Sequence, residues 1–274
     1  MEPTKKVILV TGASAGMGKD FAQSLAKDGH IVYGAARRVE KMKDIEKLGA
    51  KILEMDVTDD ASMTTGVETI LKNEGRLDVL INNAGFGSYG AIEDVSMDDA
   101  RYQLEVNVFG AARLMQLVIP SMRKHHFGKI INISSIGGKL AMPFGGWYHA
   151  SKFALEALSD SVRVEVKDFG IDVVVIEPGG VRSEWSDISM DSLVKRSGET
   201  VYGGMVKSMA ETIKDLGDKV AEPDVITKLV KKAIRYKKPK ARYSGGYMAK
   251  PFLFMRWLLP DSIFDKLLLS RVKK

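Results

Sequence analysis

Seven short apolar runs recur along the chain, and the first six are separated by longer stretches with apolar residues three and four positions apart. The runs are Val7–Val10, Ile31–Tyr33, Lys51–Met55, Val79–Ile81, Ile130–Ile133, Val173–Ile176 and Ala241–Tyr243. Strands that alternate with helices form a parallel sheet that is covered by helices on both faces. The pattern therefore predicts an α/β fold with a doubly wound parallel β-sheet of about seven strands.

The chain has 274 residues, enough for one large α/β domain. We predict a single domain over residues 1–246 and a tail over residues 247–274 that is rich in Phe, Leu, Met and Trp. Within the domain the pattern loosens over residues 183–223. Ligands of open α/β sheets bind outside the carboxyl ends of the strands, so this insertion is expected to form a mobile lid over the substrate.

The sequence contains no cysteine, and its four histidines lack the spacing of metal ligands. Thiol catalysis is therefore excluded, and a catalytic metal is not expected. The segment before Val7 is short and polar, and no apolar run is long enough to cross a bilayer. These features predict a cytoplasmic protein without a signal peptide, or at most one on the cytoplasmic face of a membrane.

The formal net charge is +6, and part of the excess lies in one run. Its members are Lys231, Lys232, Arg235, Lys237, Lys238, Lys240 and Arg242. Such a run is compatible with nucleic-acid binding, but a solvated helix face followed by a loop explains it equally simply. We favour the solvated face and expect no nucleic-acid partner.

The first apolar run leads directly into a glycine-rich stretch, Thr11 to Gly18, and a helical pattern follows. Glycines are needed where the turn is tight, where the backbone approaches a pyrophosphate and where the helix packs near the strand. The amino end of that helix then directs free N–H groups at the phosphates. The spacing T-G-x-x-x-G-x-G differs from the G-x-G-x-x-G dinucleotide fingerprint, so on this motif alone a turn without a ligand stays open.

Three further motifs follow in order: Asn82-Asn83-Ala84-Gly85, Tyr148-x-x-x-Lys152 and Pro178-Gly179. Together with the glycine-rich stretch they resemble the motifs of the short-chain dehydrogenase/reductase family over roughly residues 5–245. The resemblance implies a Rossmann-type fold, hydride transfer between a nicotinamide and a carbonyl or alcohol, and a homodimer or homotetramer. It implies coenzyme contacts from Gly12, Ser14, Gly16, Met17, Gly18, Asp56, Val57, Asn83, Ala84, Gly85, Tyr148, Lys152, Pro178, Gly179, Val181 and Ser183.

The end of the second strand predicts which coenzyme is bound. An NAD site usually places Asp or Glu there to accept a hydrogen bond from the ribose, but Ala36 occupies the position. Arg37 and Arg38 follow, and a guanidinium group suits a 2′-phosphate. We therefore predict NADP(H), with exposed loop arginines as the alternative interpretation.

Tyr148 and Lys152 are four positions apart on a predicted helix, so they project from one face. A free tyrosine has a pKa near ~10, and a nearby ammonium group together with an oxidised nicotinamide lowers it. Tyr148 would then exchange a proton with the substrate oxygen. The resemblance implies that Ser135 hydrogen-bonds the same oxygen and that Asn107 holds a water beside Lys152, although a packing role for Asn107 stays open.

Apolar and aromatic residues flank these motifs and predict a bulky apolar carbonyl or alcohol substrate. They are Phe86, Tyr89, Met142, Phe144, Trp147 and Trp185. The segment from Ser135 to Tyr148 is similar to the hydroxysteroid dehydrogenase branch of the family. Two alternatives remain: a non-catalytic NADP-sensing protein on the same fold, and a peripheral membrane protein, such as a lipid reductase, whose basic run and apolar tail bind lipid.

Overall fold

The computed structural model describes residues 5–272, and these residues build one seven-stranded sheet in which all neighbouring strands are parallel. The strand order is β3-β2-β1-β4-β5-β6-β7. The strands are β1 Val7–Thr11, β2 Ile31–Ala36, β3 Lys51–Glu54, β4 Val79–Asn82, β5 Gly128–Ile133, β6 Ile171–Pro178 and β7 Arg242–Gly245. The predicted doubly wound α/β fold is confirmed.

Helices connect the strands and cover both faces of the sheet. They are α1 Gly16–Lys27, α2 Lys43–Glu46, α3 Asp60–Glu74, α4 Met97–Leu104, α5 Gly110–Lys124, α6 Gly146–Glu165, α7 Glu184–Ser197, α8 Gly203–Leu216, α9 Asp224–Arg235, α10 Ala249–Leu258 and α11 Asp261–Val272. A π-helical turn, Glu105–Phe109, joins α4 to α5. Within residues 5–272, no helix has both the length and the apolarity to cross a bilayer.

The unbroken apolar run of β1 is explained by its burial on both faces. Ile8 and Val10 contribute to a core with α1, α2 and α9, whereas Val7 and Leu9 contribute to a second core with α3 and α5. Side chains alternate between the two faces of a strand, so each face of β1 requires its own apolar residues.

The strand order reverses between β1 and β4, because the chain crosses from β3 back past β1 to begin β4. Ligands of open α/β sheets bind in the crevice at this reversal, outside the carboxyl ends of the strands. The loops after β1 and β4 carry the glycine-rich stretch and the Asn83-Ala84-Gly85 segment. The fold therefore brings two motifs together that lie some seventy residues apart in the sequence.

The predicted insertion and tail are both helical. Residues 183–223 contain α7 and α8, and the tail contains α10 and α11. Phe264 and Leu268 of α11 pack with Leu140 in a small core, and α11 also contacts α8. The tail therefore packs against the rest of the chain through Phe264 and Leu268, while residues 273–274 lie outside the described part. The domain boundary at residue 246 stays a prediction.

Residues of the basic run have partners within the chain. Lys231 lies 2.8 Å from Asp28, and Arg242 lies 2.6 Å from the carboxylate of Asp160. The ammonium group of Lys232 lies 5.4 Å from the ring centroid of Tyr236. These contacts explain part of the run as local pairing, and the expected lack of a nucleic-acid partner stays a prediction.

Candidate active site

A cavity of about 550 Å³ lies at the carboxyl ends of the central strands, a size typical of small-molecule sites. Most of the predicted site residues line it. They are Gly12, Ser14, Gly16, Met17, Arg37, Arg38, Asp56, Val57, Asn83, Ala84, Gly85, Ser135, Tyr148, Lys152, Pro178, Gly179, Val181 and Ser183. Gly18 and Asn107 do not belong to this lining.

The floor of the cavity depends on close contact between the loops after β1 and β4. The hydroxyl of Thr11 accepts hydrogen bonds from the backbone N–H groups of Asn83 and Ala84, both at 3.0 Å. Gly12 has a positive φ of 67°, and a Cβ atom there would lie 2.9 Å from the Ala84 backbone. A side chain at position 12 would therefore be strained and would separate the two loops.

Gly18 belongs to the packing beneath the cavity. A Cβ atom at this position would overlap the carbonyl oxygen of Gly12 and the side-chain amide of Asn83. The glycine thus lets the first turn of α1 lie directly against the loop, which fixes the helix terminus that faces the cavity. Its predicted direct contact with the coenzyme stays a prediction.

One end of the cavity carries an exposed positive charge. Nη1 of Arg37 donates to the hydroxyl of Tyr102 at 2.9 Å and lies 3.8 Å from the carboxylate of Asp56. The carboxylate in turn accepts from the N–H and hydroxyl of Thr58 at 2.9 and 2.8 Å. Arg37 is thus oriented by its neighbours while its guanidinium stays accessible, as phosphate recognition requires.

Arg38 connects the glycine-rich stretch to the insertion. Its Nη2 lies 3.3 Å from the hydroxyl of Ser14 and 3.5 Å from the carboxylate of Glu184 at the start of α7. Lys41 lies 3.9 Å from the same carboxylate. These contacts tie the first turn of α7 to the rim of the cavity.

Ser135 and Tyr148 meet at the other end of the cavity. Tyr148 is buried in the first turn of α6, and the hydroxyl groups of Ser135 and Tyr148 are hydrogen-bonded. The Ser135 hydroxyl also accepts from the backbone N–H of Gly137 at 3.0 Å. Burial raises the pKa of Tyr148 to about 12, and the Ser135 hydrogen bond opposes this rise. The phenol is therefore protonated at neutral pH, and the expected lowering of its pKa by Lys152 and an oxidised nicotinamide stays a prediction.

Lys152 lies one turn after Tyr148 on α6, and its ammonium group is buried. Nζ donates to the backbone carbonyl of Ile133 at 2.8 Å and lies 5.9 Å from the centroid of the Tyr148 ring. Burial lowers the pKa of Lys152 to about 8, and the negative charge of Glu156 opposes this effect. A buried amine with so altered a pKa, lining a cleft, is typical of a functional group.

Replacing Lys152 with Met should stabilise the fold by about 2 kcal/mol at pH 7. Lowering the pKa from 10.5 to about 8 means that burial penalises the charged amine by roughly 3 kcal/mol. The lost hydrogen bond to Ile133 offsets about 1 kcal/mol of this gain. The penalty is complete below pH 8 and disappears as the pH rises toward the unfolded-state pKa.

Urea unfolding at pH 7 and at pH 10 measures this difference. Lys124→Met, at an exposed position in the last turn of α5, is the matched control and should change stability little at either pH. A Lys152→Met gain of equal size at both pH values would show that the charge of Lys152 is not its cause.

Asn107 lies in the π-helical turn and is buried behind the cavity wall. Its Nδ2 donates to the Phe86 carbonyl and to the Ser151 hydroxyl, each at 3.0 Å, and its Oδ1 accepts from the Phe86 N–H at 3.1 Å. The side chain therefore holds the end of the β4 loop against α6. The predicted role of Asn107 in retaining a water stays a prediction.

The predicted substrate-side residues lie in different parts of the structure. Phe86 lines the cavity, whereas Tyr89 and Phe144 pack with Tyr148 in an apolar core beside it. Met142 belongs to the core that contains α10 and α11, Trp147 is half-buried outside the lining, and the side chain of Trp185 lies outside the described part. Tyr89 and Phe144 thus share an apolar core with Tyr148, whereas Phe86 lies 5.5 Å from the Tyr102 ring between centroids, toward Arg37.

The insertion packs over this aromatic group. Leu193 of α7 and Val206 and Met209 of α8 are buried in the same core, whereas Val201 between the two helices is 91% exposed. Serines of α7 also bond the loop after β4: the Ser192 hydroxyl accepts from the Tyr89 N–H at 2.9 Å. The insertion thus covers the substrate side, and its mobility stays a prediction.

Sequence reasoning missed three residues that shape the site: Tyr102, Glu184 and His149. His149 accepts a hydrogen bond from the Met142 N–H at 3.0 Å, and its other ring nitrogen lies 3.0 Å from the Gly137 carbonyl oxygen. This neutral side chain holds the loop that leads to Tyr148. His149 could have been found from the sequence, because it directly follows Tyr148. Tyr102 and Glu184 could not, because their partners Arg37 and Arg38 are far away in sequence.

Comparisons with known proteins cover most of the chain. The family model described as short chain dehydrogenase matches residues 6–192. A 3-ketodihydrosphingosine reductase of Bacteroides thetaiotaomicron is 37% identical over 267 residues, 97% of this chain and 96% of the relative. An NADPH-dependent 3-dehydrocapnine reductase of Ornithobacterium rhinotracheale is 33% identical over 277 residues, 97% of each chain. The crystal structure of a short-chain dehydrogenase from Streptomyces avermitilis has a TM-score of 0.78 and 31% identity, covering 96% of this chain and 95% of the other.

Proposed function

The chain belongs to the short-chain dehydrogenase family of oxidoreductases, and from this premise we propose that it reduces a bulky apolar ketone or aldehyde with NADPH, or oxidises the corresponding alcohol with NADP⁺. One observation carries the proposal. A single cavity has the Ser135–Tyr148 hydrogen bond and the Lys152 ammonium group at one end and the accessible Arg37 guanidinium at the other.

The residues of the cavity fit a nicotinamide dinucleotide. The glycine loop leaves the amino end of α1 facing the cavity, where Gly16 and Met17 line it, and Arg37 would hold the ribose 2′-phosphate. Val181 and Ser183, after β6, would hold the nicotinamide. When bound, the coenzyme supplies or accepts the hydride.

Residues of the chain itself would donate the proton that the substrate oxygen receives during reduction. Ser135 and Tyr148 would both donate hydrogen bonds to the substrate oxygen, where negative charge develops during reduction. Tyr148 then transfers its phenolic proton to that oxygen, which completes the hydroxyl group and leaves a phenolate. The Lys152 ammonium group stabilises the phenolate. The aromatic core around Tyr148 excludes water from this end of the cavity.

The choice of NADP(H) is supported by two features. Ala36 provides no carboxylate against a 2′-phosphate, and Arg37 is accessible beside it. The relative named as NADPH-dependent, which aligns with 97% of this chain, agrees with this choice.

The substrate class rests on the aromatic and aliphatic surroundings of Tyr148. Tyr89 lies 5.9 Å from Tyr148 between ring centroids, and Met190, Met205 and Met209 of the insertion pack nearby. Methionine adapts to irregular apolar shapes. Relatives named as reductases of 3-ketodihydrosphingosine and 3-dehydrocapnine support a lipid-like ketone, while the hydroxysteroid similarity stays a prediction.

Catalysis is favoured over a non-catalytic NADP-sensing role by the same geometry. A sensor does not require a buried phenol hydrogen-bonded to Ser135 beside a buried ammonium group.

We further infer a cytoplasmic homodimer or homotetramer. Membership of the family supports the oligomeric state. The lack of cysteine is compatible with a reducing compartment such as the cytoplasm.

A series of linear methyl ketones, followed by NADPH absorbance, tests the proposed function. We expect kcat/KM to rise with chain length by up to about fourfold per methylene until the pocket is full, because burying a methylene contributes about 0.8 kcal/mol. Short keto acids of equal carbon number are the matched control and should react poorly. A charged keto acid as the best substrate would contradict the apolar pocket, and no oxidation of NADPH with any carbonyl would contradict catalysis.

A further inference from the structure

The helices α10 and α11 expose large apolar side chains that the proposed catalysis does not use. Phe254 is 57% exposed, Trp257 79%, Leu258 56% and Ile263 50%. We call these four residues the apolar face. Single exposed apolar residues are common on protein surfaces, but a group of them, three on α10 and one on α11, is typical of an interaction site.

Three members of the apolar face, Phe254, Trp257 and Leu258, form a second apolar side of α10, and Ile263 lies in the first turn of α11. The opposite side of α10 carries Phe252 and Met255, which pack, together with Leu259 just after the helix, against the core formed by Leu140 and Phe264. An ordinary surface helix is apolar on one side and polar on the other, whereas a helix that is apolar all round is normally buried. The outer side of α10 is therefore suited to contact with apolar groups rather than with water.

Basic residues accompany the apolar face. Lys250 is exposed one turn before Phe254, on the same side of α10. Residues 247–274 contain six basic and two acidic side chains. One of the two acidic residues, Asp261, is paired at 2.7 Å with Arg256. The sequence of the segment therefore carries an excess of positive charge, and of its described lysines Lys250 and Lys266 are exposed.

We propose that the apolar face docks on the surface of an anionic lipid bilayer. Phe and Trp insert at the boundary between headgroups and acyl chains, and a neighbouring lysine extends to the lipid phosphates. Trp257, the most exposed of the four, suits this boundary because its ring is apolar and its N–H is polar. A second copy of the chain would satisfy the apolar side chains but would bring two positively charged segments together.

The docked surface adjoins the substrate side of the active site. Ile136, Leu140 and Met142 belong to the loop between Ser135 and Tyr148, and they pack in the same core as α10 and α11. A bilayer held at the apolar face would therefore lie on the other side of α10 from the loop that leads to Tyr148. This link, which rests on the proposed function, explains how a lipid-like ketone reaches the cavity without crossing water.

Co-sedimentation of the full chain with vesicles tests the docking. We expect binding to phosphatidylcholine vesicles that contain phosphatidylglycerol, and weaker binding to phosphatidylcholine alone. The double variant Phe254→Ser/Trp257→Ser should lower the partition coefficient about tenfold or more, since it removes two large apolar groups. Val164→Ser, at a 67% exposed position at the far end of α6, is the matched control and should bind as the parent does.

Three measurements make the result decisive. NADPH turnover of a short, water-soluble ketone should be unchanged in the double variant, which separates loss of docking from loss of the fold or of the proposed activity. Failure of the parent to bind either kind of vesicle, or equal binding by the double variant, would overturn the proposal. A change from dimer to monomer in the double variant, with vesicle binding retained, would assign the apolar face to a second copy instead.

Discussion

Replacing Tyr148 with Phe should lower kcat for ketone reduction by at least roughly 10²- to 10⁴-fold, the range for losing a general acid. The variant removes only the hydroxyl that Ser135 contacts. The ring contacts with Tyr89 at 5.9 Å and His149 at 5.5 Å are kept, so the fold should survive. Stopped-flow absorbance of NADPH measures turnover, and coenzyme fluorescence with thermal unfolding checks binding and fold.

Tyr89→Phe is the matched control. Tyr89 is buried in the same apolar core, and burial raises the pKa of its hydroxyl as well, but it does not line the cavity. Its variant should keep turnover within a few-fold of the parent protein. Equal losses in the two variants would mean that packing, rather than the Tyr148 proton, explains the effect, and near-normal turnover of Tyr148→Phe would remove Tyr148 from its proposed role.

The parallel sheet was predictable because its strands are buried on both faces. Val7–Val10 has no polar residue to suggest a solvated face, and the helical patterns between the strands leave a parallel sheet as the remaining arrangement. Strand ends were less predictable. β2 continues to Ala36 and β6 to Pro178 because hydrogen bonds with neighbouring strands, rather than apolar residues, determine where a strand ends.

The site was predictable where one motif supplies all the atoms, as in the Tyr148–Lys152 pair on one helix. The site was less predictable where the two residues of a contact come from distant segments of the chain. Tyr102 reaches Arg37 across 65 positions, and Glu184 reaches Arg38 across 146. Neither pair has a local spacing to reveal it. The pKa of Tyr148 was also hidden, because burial is a property of the packed core around it.

Replacing Arg37 with Ala should weaken NADPH binding by roughly ten- to a hundredfold and leave NADH binding almost unchanged. A charge-assisted contact to a phosphate contributes about 1.5–3 kcal/mol, and each 1.4 kcal/mol is about a factor of ten in affinity. The lower part of the range is expected, because the Arg37 side chain is 63% exposed and solvent weakens its interactions. Fluorescence titration with each coenzyme measures both dissociation constants.

Two further variants show how Arg37 acts. Tyr102→Phe removes the hydroxyl that accepts from Arg37 at 2.9 Å, so it should reduce the preference for NADPH a few-fold by freeing the guanidinium. Arg101→Ala, which removes an exposed arginine from the same helix as Tyr102, should leave the preference unchanged. Equal weakening of NADPH and NADH by Arg37→Ala would show that Arg37 acts through general charge or folding, and the 2′-phosphate assignment would then be wrong.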